Sequence, residues 1–371
     1  MCAFNPPSDA GSAVPATRPH PTVSIILPAY NAADFLGATL RSALAQTFTD
    51  FEILLLDNAS TDDTQGVASS FTDRRLRYHR NATNLGFAGN VELGRGLATA
   101  PFVVVFNADD VWEPDYLAKA VAVLEANPRL AFVHAHITLM DELGCCYGSA
   151  VTQWHPVTSG RDAFVNCFLA GFSSPTMLIR NALLRDVAPL PTGEPWGKVA
   201  DCWLFLQLCL RGDVGFIAEP LMRYRVHSAS MMFESYADGS FFRRRLATVR
   251  DAFAWPEART WITDHDRRQV TTHIALQAAT ILPIIRNVHP RLSLLNAFAQ
   301  IVRAVPRAIV YPTIWTRLAY GLLPRATIAS LRARRRRRWA VQHPNATLLA
   351  ADLPSQLSAN GPAQSRAAVG I

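Results

Sequence analysis

Two adjacent aspartates, Asp109 and Asp110, follow the apolar run Phe102–Phe106 and belong to the sequence Asn107-Ala108-Asp109-Asp110. A pair of carboxylates at the end of a buried strand is electrostatically costly unless a cation neutralises it. A hard divalent cation, Mg²⁺ or Mn²⁺, takes oxygen ligands of this kind and shares them with phosphate oxygens. Such a cation stabilises the charge on a departing diphosphate. The pattern therefore predicts a metal-assisted reaction of a diphosphate substrate.

Polar groups also follow two other apolar runs of the sequence. The run Val23–Leu27 leads into Pro28-Ala29-Tyr30-Asn31, and the run Phe51–Leu56 ends on Asp57 and Asn58. Asp and Asn often end strands and begin turns, so each group taken alone has a purely structural alternative. Three such strand ends in succession favour one shared ligand site.

The elements that must position these groups alternate between strands and helices. Several predicted strands are apolar throughout, which is typical of strands buried on both faces. We therefore predict an α/β fold with a mostly parallel central sheet flanked by helices, in which the ligand lies beyond the carboxyl ends of the strands. Later in the chain, the pattern predicts strands at Pro175–Ile179 and Val214–Ile217 and a helix at Cys202–Leu210. The stretch Tyr224–His227 follows a proline turn and is expected to close the domain.

Two common phosphate-binding motifs are absent from the sequence. No glycine-lysine Walker A loop occurs, which excludes P-loop chemistry, and no Gly-x-Gly-x-x-Gly follows the first strand, which disfavours a dinucleotide fold. A nucleotidyltransferase with a similar core remains an alternative. It would need a glycine-rich first loop that carries a cation, and residues 28–33 contain neither glycine nor a basic residue.

Four stretches taken together resemble the family 2 glycosyltransferases of the GT-A fold over residues 22–230. They are Ser24–Asn31, Asp57–Asp62, Asn84–Asn90 and Asn107–Asp110, which stand in the family's order at the expected strand ends. The resemblance implies an inverting transferase that uses a nucleotide-diphosphate sugar and a divalent cation, Mg²⁺ or Mn²⁺. It places Asn107 where the family has the first acid of its Asp-x-Asp motif.

The resemblance also implies roles for individual residues. Asp109 is the expected metal ligand, and Asn107 can still hydrogen-bond a ribose hydroxyl. The residues expected to bind the donor are Pro28, Ala29, Tyr30, Asn31, Asp57, Asn84, Asn107 and Asp109.

Two further residues resemble late motifs of the family. Asp201, in Val199-Ala200-Asp201-Cys202-Trp203, matches the position of the general base that deprotonates the acceptor hydroxyl. Its alternative is a simple helix N-cap. His227, in Tyr224-Arg225-Val226-His227, matches a position that can ligate the metal or touch the diphosphate, and its alternative is a structural histidine.

The charge is unevenly distributed along the chain. Residues 267–351 contain 14 arginines and no acidic residue. We predict a disordered leader at 1–21, a catalytic domain at 22–240, a helical, arginine-rich extension at 241–340 and a disordered tail at 341–371. A basic amphipathic helix at 292–305 suggests an anionic membrane surface as a partner, although packing on the catalytic domain stays open. No secretory signal opens the sequence, so a cytoplasmic protein, peripheral on the inner membrane face, is expected.

The predicted partners follow from this scheme. The donor is a nucleotide-diphosphate sugar, and the acceptor is a glycan or a lipid-linked sugar of cell-surface polysaccharide synthesis. A non-catalytic nucleotide- or glycan-binding protein is the remaining alternative, based on the run Arg334–Arg338. Five arginines bind phosphates indiscriminately, and without interleaved aromatic residues they predict no specific nucleic-acid recognition.

Overall fold

The computed structural model describes residues 21–149, 154–193, 195–227 and 240–288, together with isolated positions between 299 and 319. Its strands are β1 Val23–Ala29, β2 Phe51–Asp57, β3 Leu76–Arg80, β4 Phe102–Val105, β5 Val111–Trp112, β6 Leu130–Met140, β7 Cys146–Ser149, β8 Val157–Thr158, β9 Leu178–Arg180 and β10 Asp213–Arg225. Its helices are α1 Ala33–Leu44, α2 Thr64–Ser69, α3 Gly86–Leu97, α4 Tyr116–Ala126, α5 Gly160–Leu169, α6 Asn181–Arg185, α7 Ala200–Cys209, α8 Ser240–Ala252, α9 Pro256–Arg259 and α10 Asp264–Val288.

The strands form one sheet in the order β3-β2-β1-β4-β9-β6-β10-β5, with β7 added beside β6 and β8 beside β10. The long pairings β1–β2, β1–β4, β2–β3 and β6–β10 are parallel, whereas the shorter pairings are antiparallel. The predicted α/β fold, with a mostly parallel sheet flanked by helices, is confirmed. Because β1 pairs in parallel with both β2 and β4, the carboxyl ends of these three strands meet at one edge.

The apolar strands are buried on both faces, as their composition predicts. Every residue of β2 is buried, and so are all residues of β1 except Pro28. Helix α3 packs close to this layer, since a Cβ on Gly94 would lie 2.4 Å from Cγ2 of Ile26. Burial on both faces fixes the strand ends, and thus the groups that follow them, in a rigid frame.

Two predictions for the later elements are wrong in detail. Residues 174–176 form a 3₁₀ turn before the short strand β9, because Pro175 has no N–H to give to a ladder. Residues 214–217, predicted as a short strand that ends before a proline turn, instead belong to one long strand, β10, which continues to Arg225. Its register against β6 shifts around Pro220, so the strand continues through a bulge.

The helices after residue 240 pack against α5. Val249 and Ala252 of α8 and Phe253, the residue after it, are buried. The Phe253 ring contacts Phe164 and Phe168 of α5 at centroid distances of 6.3 and 5.7 Å. Nη2 of Arg161 on α5 lies 3.1 Å from Oδ2 of Asp266 on α10. This part of the predicted extension is therefore joined to the core by apolar packing and an ion pair.

Within the part of the chain that the structure describes, no helix is long and apolar enough to cross a membrane. Several predictions fall outside the described residues. They are the leader at 1–20, most of the amphipathic helix at 292–305, the arginine run at 334–338 and the tail at 341–371.

Candidate active site

His227 and Asp109 meet at the carboxyl edge of the sheet. Nε2 of His227 lies 2.9 Å from Oδ2 of Asp109, although the two residues are 118 positions apart. His227 follows β10 directly, Asp109 follows β4, and the His227 ring lies 5.0 Å from the Phe35 ring of α1. The structure thus brings together the two residues that were predicted as metal ligands.

Arg225, which the sequence analysis did not single out, connects the two sides of this site. Its backbone N–H donates to Oδ1 of Asp110 (2.9 Å), and its Nε donates to the carbonyl of Asp109 (2.9 Å). Its guanidinium also lies over the Phe35 ring, 4.7 Å from the centroid. The residue is buried, so it fixes the Asp109 backbone rather than presenting a free charge. Its place in the Tyr-Arg-Val-His stretch, two residues before His227, is the signal that could have found it.

The two adjacent aspartates have different environments. Asp110 is fully buried and accepts hydrogen bonds from Asn107 Nδ2 (3.1 Å) and from the Arg225 backbone. Burial, and then the neighbouring Asp109 charge, raises the pKa of Asp110 well above its ordinary value. The Asp109 side chain is 31% exposed. Asp109 is therefore the carboxylate that can meet a ligand, while Asp110 and the Asn107 amide hold the loop.

Asp57 lies inside the protein at the end of β2. Its Oδ1 accepts from the Ser60 backbone N–H (2.8 Å), and its Oδ2 accepts from the Tyr78 hydroxyl (2.6 Å) and from Arg80 Nη1 (2.8 Å). Burial acts to raise the pKa of Asp57, but the hydrogen bonds from Ser60 and Tyr78 and the Arg80 charge outweigh it, so the pKa lies below its ordinary value. Asp57 thus joins β2, β3 and the loop after β2. Its predicted contact with the nucleotide stays a prediction.

The loop after β1 presents two exposed side chains at the same edge. Pro28 and Ala29 belong to β1, whereas Tyr30 is 52% exposed and Asn31 is also exposed. Asn31 has a left-handed backbone conformation, with φ of 48°. Its Oδ1 accepts from the Thr61 backbone N–H (2.8 Å), which ties this loop to the loop after β2. An asparagine suits this place because its side chain supports the left-handed conformation.

A network of asparagine side chains supports the neighbouring loop. Nδ2 of Asn58 donates to Oδ1 of Asn84 (2.8 Å), and Nδ2 of Asn81 donates to Oδ1 of Asn58 (3.0 Å) and of Asn90 (2.9 Å). Asn84 Oδ1 also accepts from the Gly86 backbone N–H (2.8 Å). Asn84 was predicted to bind the donor, and here its amide oxygen holds the start of α3. Asn81 and Asn90 lie near Asn84 in the sequence, whereas Asn58 is 26 positions away, and no local pattern indicates its contact with Asn84.

Asp201 lies in the first turn of α7, next to the end of β4. It lines a small cavity together with Val105 of β4, Ser174 and three apolar side chains, Met177, Ile179 and Leu204. Burial raises the pKa of Asp201 above its ordinary value. The N-cap residue of α7 is Val199, so Asp201 is not the cap that was considered as its alternative role. A carboxylate with a raised pKa beside an apolar cavity has the properties of a general base.

The site is suited to a divalent cation that is also bound by its substrate. A carboxylate and an imidazole, from Asp109 and His227, are a donor pair that Mn²⁺ accepts, and diphosphate oxygens complete the coordination of such ions. Among the described residues, no group of three or more His, Cys, Asp or Glu side chains is arranged to hold a metal ion.

Comparison with known proteins gives one family match and several relatives. Residues 24–187 match the family model described as glycosyl transferase family 2. A Haemophilus influenzae protein, described as an uncharacterized glycosyltransferase, is 24% identical over 56% of this chain and 66% of its own length. The chain thus spans less than two thirds of that relative. WfgD of Escherichia coli, described as a UDP-Glc:alpha-D-GlcNAc-diphosphoundecaprenol beta-1,3-glucosyltransferase, is 24% identical over 61% of this chain and 89% of its own length.

One solved structure supports the fold assignment. The mannosyltransferase PcManGT from Pyrobaculum calidifontis, in complex with GDP-Man and Mn²⁺, superposes with a TM-score of 0.50. The match covers 82% of this chain and 88% of that chain at 19% sequence identity. At this identity the likeness concerns the fold.

Proposed function

We propose that the protein, whose residues 24–187 match the family model of glycosyl transferase family 2, transfers a sugar from a nucleotide-diphosphate sugar to an acceptor hydroxyl. The observation that carries this proposal is the pairing of Asp109 and His227 at the carboxyl edge of the sheet, 2.9 Å apart. This is the edge at which open α/β sheets bind their ligands. The nucleotide lies along the loops after β1 and β2, where Tyr30 and Asn31 are exposed.

Asp109 and His227 hold a divalent cation, Mg²⁺ or Mn²⁺. When bound, the cation stabilises the negative charge on the diphosphate leaving group. Arg225 fixes the Asp109 backbone through its Nε, so the carboxylate keeps its place while the diphosphate departs. The side-chain Oδ1 of Asn107 accepts a hydrogen bond from a ribose hydroxyl, because Nδ2 of the same amide donates to Asp110.

Asp201 is the general base in this proposal. The acceptor oxygen forms a bond to the anomeric carbon from the face opposite the diphosphate, the bond from that carbon to the phosphate oxygen breaks, and the hydroxyl proton passes to Asp201. Attack from the opposite face inverts the anomeric configuration. The raised pKa of Asp201, caused by burial, matches a group that must take up a proton in the transition state.

The acceptor is a lipid-linked sugar or a growing surface glycan. Support for this class comes from WfgD, whose description names a diphosphoundecaprenol-linked acceptor. The basic segment 267–351, with 14 arginines and no acidic residue, would keep the enzyme near the anionic inner face of a membrane. A cytoplasmic protein attached to that face is the arrangement that we propose.

The donor assignment can be tested by thermal unfolding with UDP, GDP and dTDP sugars, each with and without Mn²⁺. A ligand at 100 times its Kd adds about 2.7 kcal/mol to the free energy of unfolding by mass action. We expect one nucleotide sugar to raise the melting temperature only when Mn²⁺ is present. The variant Asp109→Ala is the matched control and should lose this shift. If no sugar nucleotide stabilises the native protein under any metal condition, the proposal is wrong.

A further inference from the structure

Three helices meet beside Asp201. Sγ of Cys202, the residue after Asp201 on α7, lies 3.6 Å from Sγ of Cys167 on α5. The next residue of α5, Phe168, accepts a hydrogen bond at its carbonyl from Arg245 Nη2 of α8 (3.2 Å). The guanidinium of Arg245 is therefore bound to the part of α5 that touches α7 next to the proposed base.

Arg245 also interacts electrostatically with the Asp201 carboxyl group. Burial raises the pKa of Asp201, while the Arg245 charge and the Ser174 side chain both act to lower it. The cavity beside Asp201 is otherwise lined by apolar side chains. The backbone N–H groups of Cys202 and Asp201 act in the same direction, and a positive charge that acts on a carboxylate favours its ionised form.

Among the described residues, this junction also holds Cys167 on α5, Cys202 and Cys209 on α7 and His273 on α10. On α8, Arg244 precedes Arg245. Burial raises the pKa of Cys167 and Cys209, so these thiols stay uncharged at neutral pH. Burial and then the Arg245 charge lower the pKa of His273, so its ring is also neutral there. A change in the charge at position 245 is therefore not masked by these three groups.

We propose that Arg245 is a positioning residue for Asp201: its hydrogen bond to Phe168 holds the end of α5 against α7, and its charge favours the ionised form of the base. This inference rests on the proposed role of Asp201. It extends the active site into α8, well beyond residue 187, where the match to the family model ends. The helical segment after residue 240 is then part of the catalytic apparatus as well as a packing layer.

The pH dependence of kcat/KM tests this proposal. Arg245→Gln removes the charge and keeps hydrogen-bonding capacity, and Arg245→Met removes the charge and keeps the aliphatic packing. Without the charge the base should protonate at higher pH, so the acid limb of the profile should move to higher pH in whichever of the two variants folds. Arg245→Lys keeps the charge, and its acid limb should stay near that of the native enzyme. Donor binding should be unchanged in all of them.

Arg161→Gln is the matched control, because Arg161 joins α5 to α10 through Asp266 and lies in the same helical layer. It should lower thermal stability without moving the acid limb. The proposal is wrong if the acid limb stays in place in folded Arg245→Gln or Arg245→Met, or if the rate falls equally at every pH. Either result would indicate that Arg245 has only a structural role. Failure of the proposed function itself would look different, because the native enzyme would then transfer no sugar, and failure of the base assignment would leave Asp201→Asn active.

Discussion

Asp57 and Arg80 are paired residues at the ends of β2 and β3, with Arg80 Nη1 2.8 Å from Asp57 Oδ2. The Asp57 side chain is 0% exposed, whereas that of Arg80 is 40% exposed. One charge of the pair is thus enclosed, and the other reaches solvent at the proposed donor site. The pair joins the frame of the sheet to the surface on which a nucleotide would lie.

Asp57→Asn should destabilise the protein by about 1–3 kcal/mol, because one carboxylate oxygen becomes an NH2 group, which cannot accept a hydrogen bond. Either the Ser60 N–H loses its acceptor, or Tyr78 and Arg80 lose theirs. The pKa of Asp57 is lowered in the folded state, so its carboxylate stabilises the fold at pH values above the ordinary 3.8. This stabilisation is lost as the pH falls through the folded-state pKa. Urea unfolding at neutral and acidic pH should therefore show a difference between native and variant protein that shrinks in acid.

Asp73→Asn is the control for this measurement. Asp73 and Arg75 are also 2.8 Å apart, but their side chains are 29% and 21% exposed. A partly exposed pair of this kind contributes about 0–1 kcal/mol. If Asp73→Asn lowers the free energy of unfolding as much as Asp57→Asn does, burial of the Asp57 carboxylate does not explain its contribution to stability.

Asp109→Ala should abolish metal-dependent nucleotide binding and turnover while the fold stays intact, because this carboxylate is the proposed metal ligand. Calorimetric titration with Mn²⁺ and the preferred nucleotide measures the loss directly. Asp115→Ala is a suitable control, since Asp115 follows the same loop but is an exposed partner of Lys119 at the start of α4. Full activity of Asp109→Ala, or activity that persists in EDTA, would refute the metal assignment.

Asp201→Asn should bind the donor normally and lose transfer by about 10²–10⁴, the usual contribution of general acid–base catalysis. The product of the native enzyme should carry the anomeric configuration opposite to that of the donor, which NMR can establish. Because burial raises the pKa of Asp201, the rate should fall as the pH drops through that raised value. Retention of configuration would exclude the proposed mechanism, and an equal loss of donor binding and transfer would indicate a structural role.

Gly160→Ala should destabilise the protein by about 1–3 kcal/mol through overpacking. A Cβ at this position would lie 2.1 Å from the carbonyl oxygen of Cys209 and 2.6 Å from that of Gly212, and backbone atoms cannot easily yield. Gly96→Ala, in α3, is the control, because its added Cβ would meet no atom within 4 Å. That change should stabilise the helix by about 0.5–1 kcal/mol. Chemical denaturation of both variants decides whether the start of α5 is as tightly placed as the structure indicates.

The full chain should sediment with anionic liposomes and not with neutral ones. Each basic residue near an anionic surface contributes about 1 kcal/mol, and the attraction is screened beyond roughly 8 Å at physiological salt. High salt, or removal of residues 324–371 with the run Arg334–Arg338, should therefore weaken binding. No sedimentation with anionic liposomes at low salt would exclude the membrane proposal.

The strands at the centre of the sheet were predictable because burial on both faces leaves a plain apolar signature. Val23–Leu27 and Phe51–Leu56 are such runs, and both became parallel strands. The two predictions about later elements that were wrong in detail both concern segments with a proline. Pro175 and Pro220 interrupt the apolar pattern, and whether a chain then turns or continues through a bulge depends on the neighbouring strand, which is distant in sequence.

Sequence motifs predicted individual residues of the candidate site but not the contacts between them. Asp109 and His227 were predicted separately, and the structure brings them together. The roles of Arg225 and Asp110 depend on contacts between β10 and the loop after β4, 115 positions apart for their shared hydrogen bond. No local pattern in the sequence records such a contact.

The separation of 118 residues between Asp109 and His227 has a consequence for the order of folding. Closing a loop of this length costs conformational entropy before any stabilising contact forms. The pair also requires that β10 first pairs with β6. The pair should therefore form late, after β1, β2 and β4 have assembled. During refolding, metal-dependent nucleotide binding should therefore recover more slowly than secondary structure, because it requires β10 to be in place.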